Sequence, residues 1–456
     1  MDLVAALRRL VADPDRVAAG QAVREQHGQD LSYHPQHLPD VVVYPVDTRE
    51  VSRILAFANE HRVPVVPFGA GSSLEGHVIP VQGGICLDMT QMNRILEIRA
   101  EDLLVRVEPG VTRTQLNRQL GREGLYFPID PGADATLGGM VATNASGTTA
   151  VRYGAMRQQV LGLEVVLADG RVITTGSLAV KSSAGYNLTG LFVGSEGTLG
   201  VITGITLRVH PLPEEVVAAR AVFPSLDAAA RVAVGLIRVG APVERVELVD
   251  ALTIEAVNAY KGTDYPAAPT LFLEFSGSAG AVRDGVETAR ELAALEGCTD
   301  FRTETDPQAR QRLWEARHHA ALAITARFPG KKLMVTDVCV PISHLPEAIA
   351  HARATVEAEG LTAAILGHVG DGNYHAIFTV DPQDPTEMER AERVNAAIVD
   401  FALARGGTCT GEHGVGLGKR RYLLREHGEA VALMRLLKQT LDPHNILNPG
   451  KILPEG

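Results

Sequence analysis

The chain has 456 residues, 45% hydrophobic and 21% charged, with 45 Gly and 25 Pro. At about 150 residues per domain there is room for about three domains, and Gly plus Pro stays well below the roughly 25–30% that marks disorder. A net charge of −11 with no basic block gives nucleic acid little to bind. Cys86, Cys298, Cys339 and Cys409 lie far apart without a CxxC, which disfavours a cysteine-ligated cluster, a zinc ribbon or a disulfide scaffold.

In chain order, Leu3, Val4, Leu7, Leu10 and Val11 fall on one face of a short helix, not a cleavable signal. That face packs on the body or, helped by Arg8 and Arg9, meets a membrane surface. No apolar run approaches the roughly 20 residues of a membrane span. Residues 41–44 read as a strand, and Asp47 and Glu50 as a capping box opening a helix to about His61. Val65 and Val66 form a strand that runs into the glycine loop FGAGSS, and GICLDM and LLVRVEPG are further strands. Thr112 and Gln115 read as a second capping box. GLEVVLADGRVITT is a hairpin about Asp169-Gly170, and GITLRVHP ends this half near Pro211. Short mixed elements indicate α+β rather than a doubly wound sheet.

From about residue 217, VAARAVF, VERVELVD, TLFLEF, KLMVTDVCV and TAAILGH read as strands alternating with helices. The clearest helices follow Ser225, contain Leu313 and Trp314, and follow Pro346. This alternation predicts a sheet covered by helices on one face. GTCTGEHGVGLGKRR is too glycine-rich for a packed helix; a last helix, EAVALMRLLKQTL, precedes DPHNILNPGK.

Three segments combine glycine with small polar residues: 67–77, 130–154 and 191–200. Glycine permits positive φ and close backbone approach, and successive N–H groups form nests for anions such as a pyrophosphate. GAGSS lacks the GxGxxG spacing and the helix of a nicotinamide-binding unit. In GHVGDGNYH, His368 and His375 flank a turn, so a hairpin would let the imidazoles face each other. Two histidines beside a turn also fit an ordinary structural role. GEHG adds Glu412 and His413, and two His with one carboxylate leave open positions on a metal. Arg317 is either a solvated helix arginine or an anion clamp.

VVPFGAGSSLEG, FPIDPGADATLGGMVATNASGTTAVRYG, NLTGLFVGSEGTLGVIT, VTDVCVP, GHVGDGNYH, GEHGVGLGKR and LDPHNILNPGK carry a resemblance from about residue 40 to 452. The chain resembles the PCMH-type, vanillyl-alcohol oxidase-like flavoenzymes, and within them the D-lactate dehydrogenase (cytochrome) and glycolate oxidase flavin-subunit group. The resemblance implies four parts: an N-terminal helical segment (1–35), a two-subdomain FAD-binding domain (36–213), an α+β substrate-binding cap (214–410), and a C-terminal helical segment (411–456) returning to the flavin. It implies noncovalent FAD, since Ser72 stands where covalent relatives often carry His. Gly69, Ala70, Gly71, Ser72 and Ser73 would hold the pyrophosphate, with Pro67 also at the cofactor. Pro131, Gly132, Ala133, Asp134, Gly138, Gly139, Thr143, Ala145, Ser146, Gly147 and Tyr153 would line the cofactor, joined by Glu196, Gly197, Val201, Ile202 and Asn448.

The resemblance also implies that His368, His375 and Glu412 bind a divalent metal, zinc or manganese. Arg317 would clamp a substrate carboxylate, and His413 would be the general base as an α-hydride passes to flavin N5. Val335 stands where relatives that accept a dicarboxylate have lysine, which argues against a 2-hydroxyglutarate-type substrate. The expected activity is oxidation of a D-2-hydroxy acid, D-lactate first and glycolate or a longer acid second; a non-catalytic flavin subunit is the alternative of another class. Electrons would pass to a cytochrome, a quinone, an electron-transfer flavoprotein, another subunit or dioxygen. The expected location is cytoplasmic, with peripheral contact to the inner membrane as a variant.

Overall fold

The computed structural model describes residues 2–455, which form two compact units. The first comprises residues 2–146, 153–212 and 412–455, and the second residues 147–152 and 213–411.

Besides a two-stranded pair, Leu125–Tyr126 with His210–Pro211, the first unit holds two larger sheets with their own cores. In one, Val17–Ala18, Val41–Val43, Ile85–Asp88 and Val65–Phe68 lie side by side in that order; the last three are parallel. The helix Thr48–His61 buries Val51, Ile54, Leu55 and Ala58, the i, i+3, i+4, i+7 stripe of an amphipathic helix. Val51, Ile54 and Leu55 each contribute about 1.5–3 kcal/mol when removed from water, and Ala58 less. The N-terminal helix Leu3–Arg8 is shorter than its pattern. Leu7 and Val11 are nevertheless buried in this core, with Leu3, Val4 and Leu10 against it, while Arg8 and Arg9 are exposed. The other sheet runs Ile95–Arg99, Leu104–Val107, Val201–Arg208, Val160–Val166, Val172–Gly176, all antiparallel. The Asp169-Gly170 hairpin forms as expected.

The capping boxes form by half. Asp47 and Thr112 accept the amides of Glu50 and Gln115, but neither partner reaches back. Gln115 donates to the Asn93 carbonyl at 2.9 Å. Glu50 instead takes Arg16 at 2.5 and 2.6 Å and the amides of Ala12 and Val46. Burial opposes its charge, yet Arg16 and these amides outweigh that and hold it at about 2. A depressed folded-state pKa stabilises above the unfolded value near 4.5, and the benefit fades as pH falls towards 2. Glu50→Gln is expected to cost about 3 kcal/mol at pH 7 and roughly half that at pH 3. Urea unfolding at both pH values reads it; an undiminished gap would contradict the assignment.

The second unit is built on an eight-stranded sheet. Its order is Asp300–Glu304, Glu215–Val222, Thr270–Gly277, Val243–Val249, Ala363–His368, Asn373–Val380, Lys332–Val335, with Val338–Cys339 also on Asn373–Val380. All pairings are antiparallel. KLMVTDVCV is therefore two strands, broken at Thr336 and Asp337. Helices cover both faces, not one. Phe272, Leu366 and Ile377 pack with Ile254, Trp314 and Ile324. On the opposite face Tyr374 bonds the Ala348 carbonyl at 3.2 Å. A Cβ on Gly285 would stand 2.9 Å from the Phe275 ring. All four cysteines are free. Cys409 is buried and Cys339 half-buried; burial, then Asp371 and Asp337, push the Cys339 thiol up to about 12, which disfavours its thiolate.

Candidate active site

In the first unit the glycine loops converge. Gly69 follows Val65–Phe68 directly, and a Cβ there would run into Thr136 Oγ1, the N-cap of Leu137–Thr143. Gly197, at φ +71°, lies so close that a Cβ would stand 3.0 Å from Pro67. The amides of Ala70, Gly71 and Ser72 donate to no backbone acceptor among the described residues. Gly71 has φ +65°. Consecutive unpaired N–H groups around a left-handed residue make a cradle for an anion. A cavity of about 440 Å³ opens on Phe68, Gly69, Ala70 and Gly71, with Tyr44 and Asp88 across it. A Cβ on Gly132 would meet nothing within 4 Å. This first unit thus fits a cofactor carrying a pyrophosphate.

The other expected cofactor residues are distributed around these loops. Gly138 packs on Pro109, Thr143 Oγ1 donates to the Gly139 carbonyl at 3.1 Å, and Ala145 and Ser146 are buried. Exposed Asp134 accepts the Thr114 amide at 3.1 Å, and Pro131 and Ala133 flank Gly132 in the same loop. The Tyr153 and Tyr126 hydroxyls are 2.5 Å apart. Val201 and Ile202 are buried at the start of Val201–Arg208, and Gly147 opens the short stretch 147–152 of the second unit.

The C-terminal segment completes the first unit. Leu447 bridges to Val65 at the edge of the first sheet, where Val65 N–H donates to the Ile446 carbonyl at 2.7 Å. Asn448 Nδ2 donates to the carbonyls of His77 and Glu196, at 2.9 and 2.7 Å. The Glu196 carboxylate accepts the amides of Val415 and Gly416, at 2.7 and 2.9 Å, and faces His77 at 3.3 Å. Burial disfavours both charges, but their mutual attraction prevails, raising the imidazole and lowering the carboxyl. Glu75 holds the same segment through Lys419 at 3.1 Å, and the Leu417 amide donates to the Glu75 carbonyl at 2.7 Å. Burial lowers Lys451 to about 8, with Nζ on the Ile79 carbonyl at 2.6 Å.

In the second unit, strand pairing sets which side chains share a face. Glu247 is opposite both Phe272 and His368, and His375 is opposite Leu366. Opposite residues point the same way, so Glu247, His368 and His375 share the face covered by the helix Pro307–His318. The imidazole centroids lie 5.7 Å apart at 86°, and ligating atoms of the two come within 4.8 Å. His368 Nδ1–H donates to Glu247 at 2.7 Å, and His375 Nδ1–H to the Thr336 carbonyl at 3.0 Å. In a neutral ring these acceptors put the proton on Nδ1 and the lone pair on Nε2, the form in which histidine ligates a cation. The histidine pair therefore fits a transition metal. Arg317, 8% exposed, places a guanidinium nitrogen 2.7 Å from Glu247, and its Nε has no hydrogen-bond partner.

Asp371 shapes the turn, accepting the Asn373 amide at 3.2 Å. Asn373 Nδ2 and Thr410 Oγ1 donate to Asp337, each at 2.8 Å. Gly411 lies against Asn373 and Asp337, and the next residues are Glu412 and His413, whose side chains are 3.9 Å apart. Trp314 is core, with Nε1–H on Glu274 at 2.6 Å. Lys332 is exposed. Glu247 and Asp337, both fully buried, escaped the sequence reading. Their only signal was a carboxylate inside an apolar strand pattern.

The family described as FAD linked oxidases, C-terminal domain, matches residues 212–452, and an FAD binding domain matches residues 39–176. The chain is 48% identical to a probable D-lactate dehydrogenase, mitochondrial, of Danio rerio, over 98% of this chain and 90% of that one. It is 44% identical to D-lactate dehydrogenase [cytochrome], mitochondrial, of Arabidopsis thaliana, over 99% and 80%. The solved 4-ethylphenol oxidase from Gulosibacter chungangensis shares the fold, with a TM-score of 0.81 at 20% identity, over 99% of this chain and 97% of that one.

Proposed function

The chain belongs to the FAD-linked oxidases, and from that premise we propose an FAD-dependent dehydrogenase that oxidises a D-2-hydroxy acid, D-lactate to pyruvate. The observation that carries this reading is the paired imidazoles, each with Nδ1 engaged, beside a buried arginine on one sheet face. Arg317 receives the substrate carboxylate, and its hydrogen-bonding fork suits that anion. His368, His375 and Glu412 would hold a divalent cation, zinc or manganese, whose Lewis acidity lowers the pKa of an oxygen bound to it. His413 accepts the hydroxyl proton, since a neutral imidazole titrates near working pH. Noncovalent FAD supplies the two-electron acceptor.

Gly69 to Ser73 would hold the pyrophosphate, and Pro67, Gly132, Glu196 and Gly197 would line the cofactor, with Asn448 near the flavin ring. No helix among the described residues is long and apolar enough to cross a membrane. A separate acceptor (a cytochrome, a quinone, an electron-transfer flavoprotein or another subunit) takes the electrons onward, in the cytoplasm or at the inner membrane surface. Anaerobic mixing with D-lactate, L-lactate and glycolate tests the reading. D-lactate should bleach the flavin band fastest, and prior chelation should slow the bleaching without releasing flavin. Bound FAD that no D-2-hydroxy acid bleaches would instead indicate a non-catalytic flavin subunit.

A further inference from the structure

His368 lies on a strand and Arg317 on a helix, and the two meet at one side chain. Glu247 is 0% exposed. One of its oxygens is hydrogen-bonded to His368 Nδ1 at 2.7 Å, and the other is ion-paired with an Arg317 terminal nitrogen at 2.7 Å, outside hydrogen-bond geometry. One neighbour presents a donor and the other a cation, so the residue between them must offer an oxygen on each side. A carboxylate does so, whereas a carboxamide offers one oxygen and one NH₂. A second buried carboxylate on this face, Glu274, is bonded instead to Trp314 at 2.6 Å and faces Arg245 at 3.4 Å.

We propose that Glu247 is a positioning residue that sets the ligating tautomer of His368 and the placement of Arg317 together, so that cation affinity and substrate-carboxylate binding depend on one buried pair of oxygens. This rests on the D-2-hydroxy acid reading above. Arg317 cannot accept a hydrogen bond. In Glu247→Gln the amide oxygen must therefore turn to Arg317 and the NH₂ to His368 Nδ1. His368 Nδ1 then becomes the acceptor, and the ring proton moves to Nε2, the nitrogen that would ligate. Glu247→Asp keeps both acceptors but is one methylene too short to reach both partners.

The test is equilibrium dialysis of metal-stripped full-length protein against Zn²⁺ alone and, separately, Mn²⁺ alone. It is paired with the KM for D-lactate and with imidazole ¹⁵N spectra that report the tautomer. Wild type should bind one cation. Glu247→Gln should bind it about 10–100-fold more weakly, with a raised KM and a His368 resonance moved to the other tautomer. Glu274→Gln should stay within about twofold of wild type, as expected of a residue outside this path. If Glu247→Gln does not fold, Glu247→Asp replaces it, with an expected loss of about 3–10-fold.

Cation affinity and tautomer unchanged in the folded variant would overturn the role of Glu247 and leave the functional reading intact. Wild type that binds neither cation, yet is reduced by D-lactate, would overturn this inference and the metal assignment. Wild type that is not reduced by any D-2-hydroxy acid overturns the functional reading itself.

Discussion

His413→Ala is expected to keep its FAD and to lose D-lactate-driven flavin reduction by about 10²–10⁴-fold, the usual contribution of a positioned general base. Retention of the cofactor follows from the way the segment is fastened. Glu196 grips the amides of Val415 and Gly416, and Asn448 ties the carbonyls of His77 and Glu196. None of these bonds uses the His413 side chain. Stopped-flow absorbance of the flavin band reads the rate, and flavin content per chain reads retention. Partial recovery on adding imidazole would show that the missing function is proton transfer. A variant reduced at the normal rate would remove His413 as the base.

Arg317→Ala is expected to lower kcat/KM by about 10²–10³-fold, the range for truncating one partner of a buried charged pair. It should also destabilise the protein by about 3–5 kcal/mol, because Glu247 is then buried without its guanidinium partner. Arg317→Lys should restore most of the stability and little of the catalysis, since an ammonium is a point charge without the planar fork. A double-mutant cycle with Glu247→Gln separates the two effects: stability should partly recover in the double variant while D-lactate oxidation does not. Thermal unfolding and steady-state rates measure each limb. Full activity in Arg317→Lys would show that the fork is not used on substrate.

What could be read from residue order follows from which interactions are local. The Asp169-Gly170 hairpin and the turn between His368 and His375 each lie within a few residues, so alternation and turn chemistry disclosed them. Glu247 and Asp337 could not be found that way. A carboxylate alternating with apolar residues is the ordinary mark of a solvated strand face, and the sheet was expected to have one face open. Helices cover both faces, so what read as a wet position is a sealed one. The capping boxes failed halfway for a related reason. Glu50 is local to Asp47, but Arg16, 34 residues away, is a stronger partner than the Asp47 amide. Likewise Glu196 read as part of a glycine loop near the cofactor, whereas its carboxylate fastens residues more than two hundred positions later.

The first unit draws on residues 412–455 as well as on 2–146 and 153–212, with the second unit inserted between. During synthesis on the ribosome, roughly two hundred residues are therefore made before the strand edge at Val65 receives Leu447. At about 5–20 residues per second this interval lasts roughly 10–40 s. Throughout it the anion cradle exists without the segment that Glu196 and Asn448 later fasten, and the nascent flavin unit stays open. Cofactor capture is thus expected to be late, and a stall or nick between residues 213 and 411 would leave an incomplete chain with one exposed sheet edge, prone to aggregate.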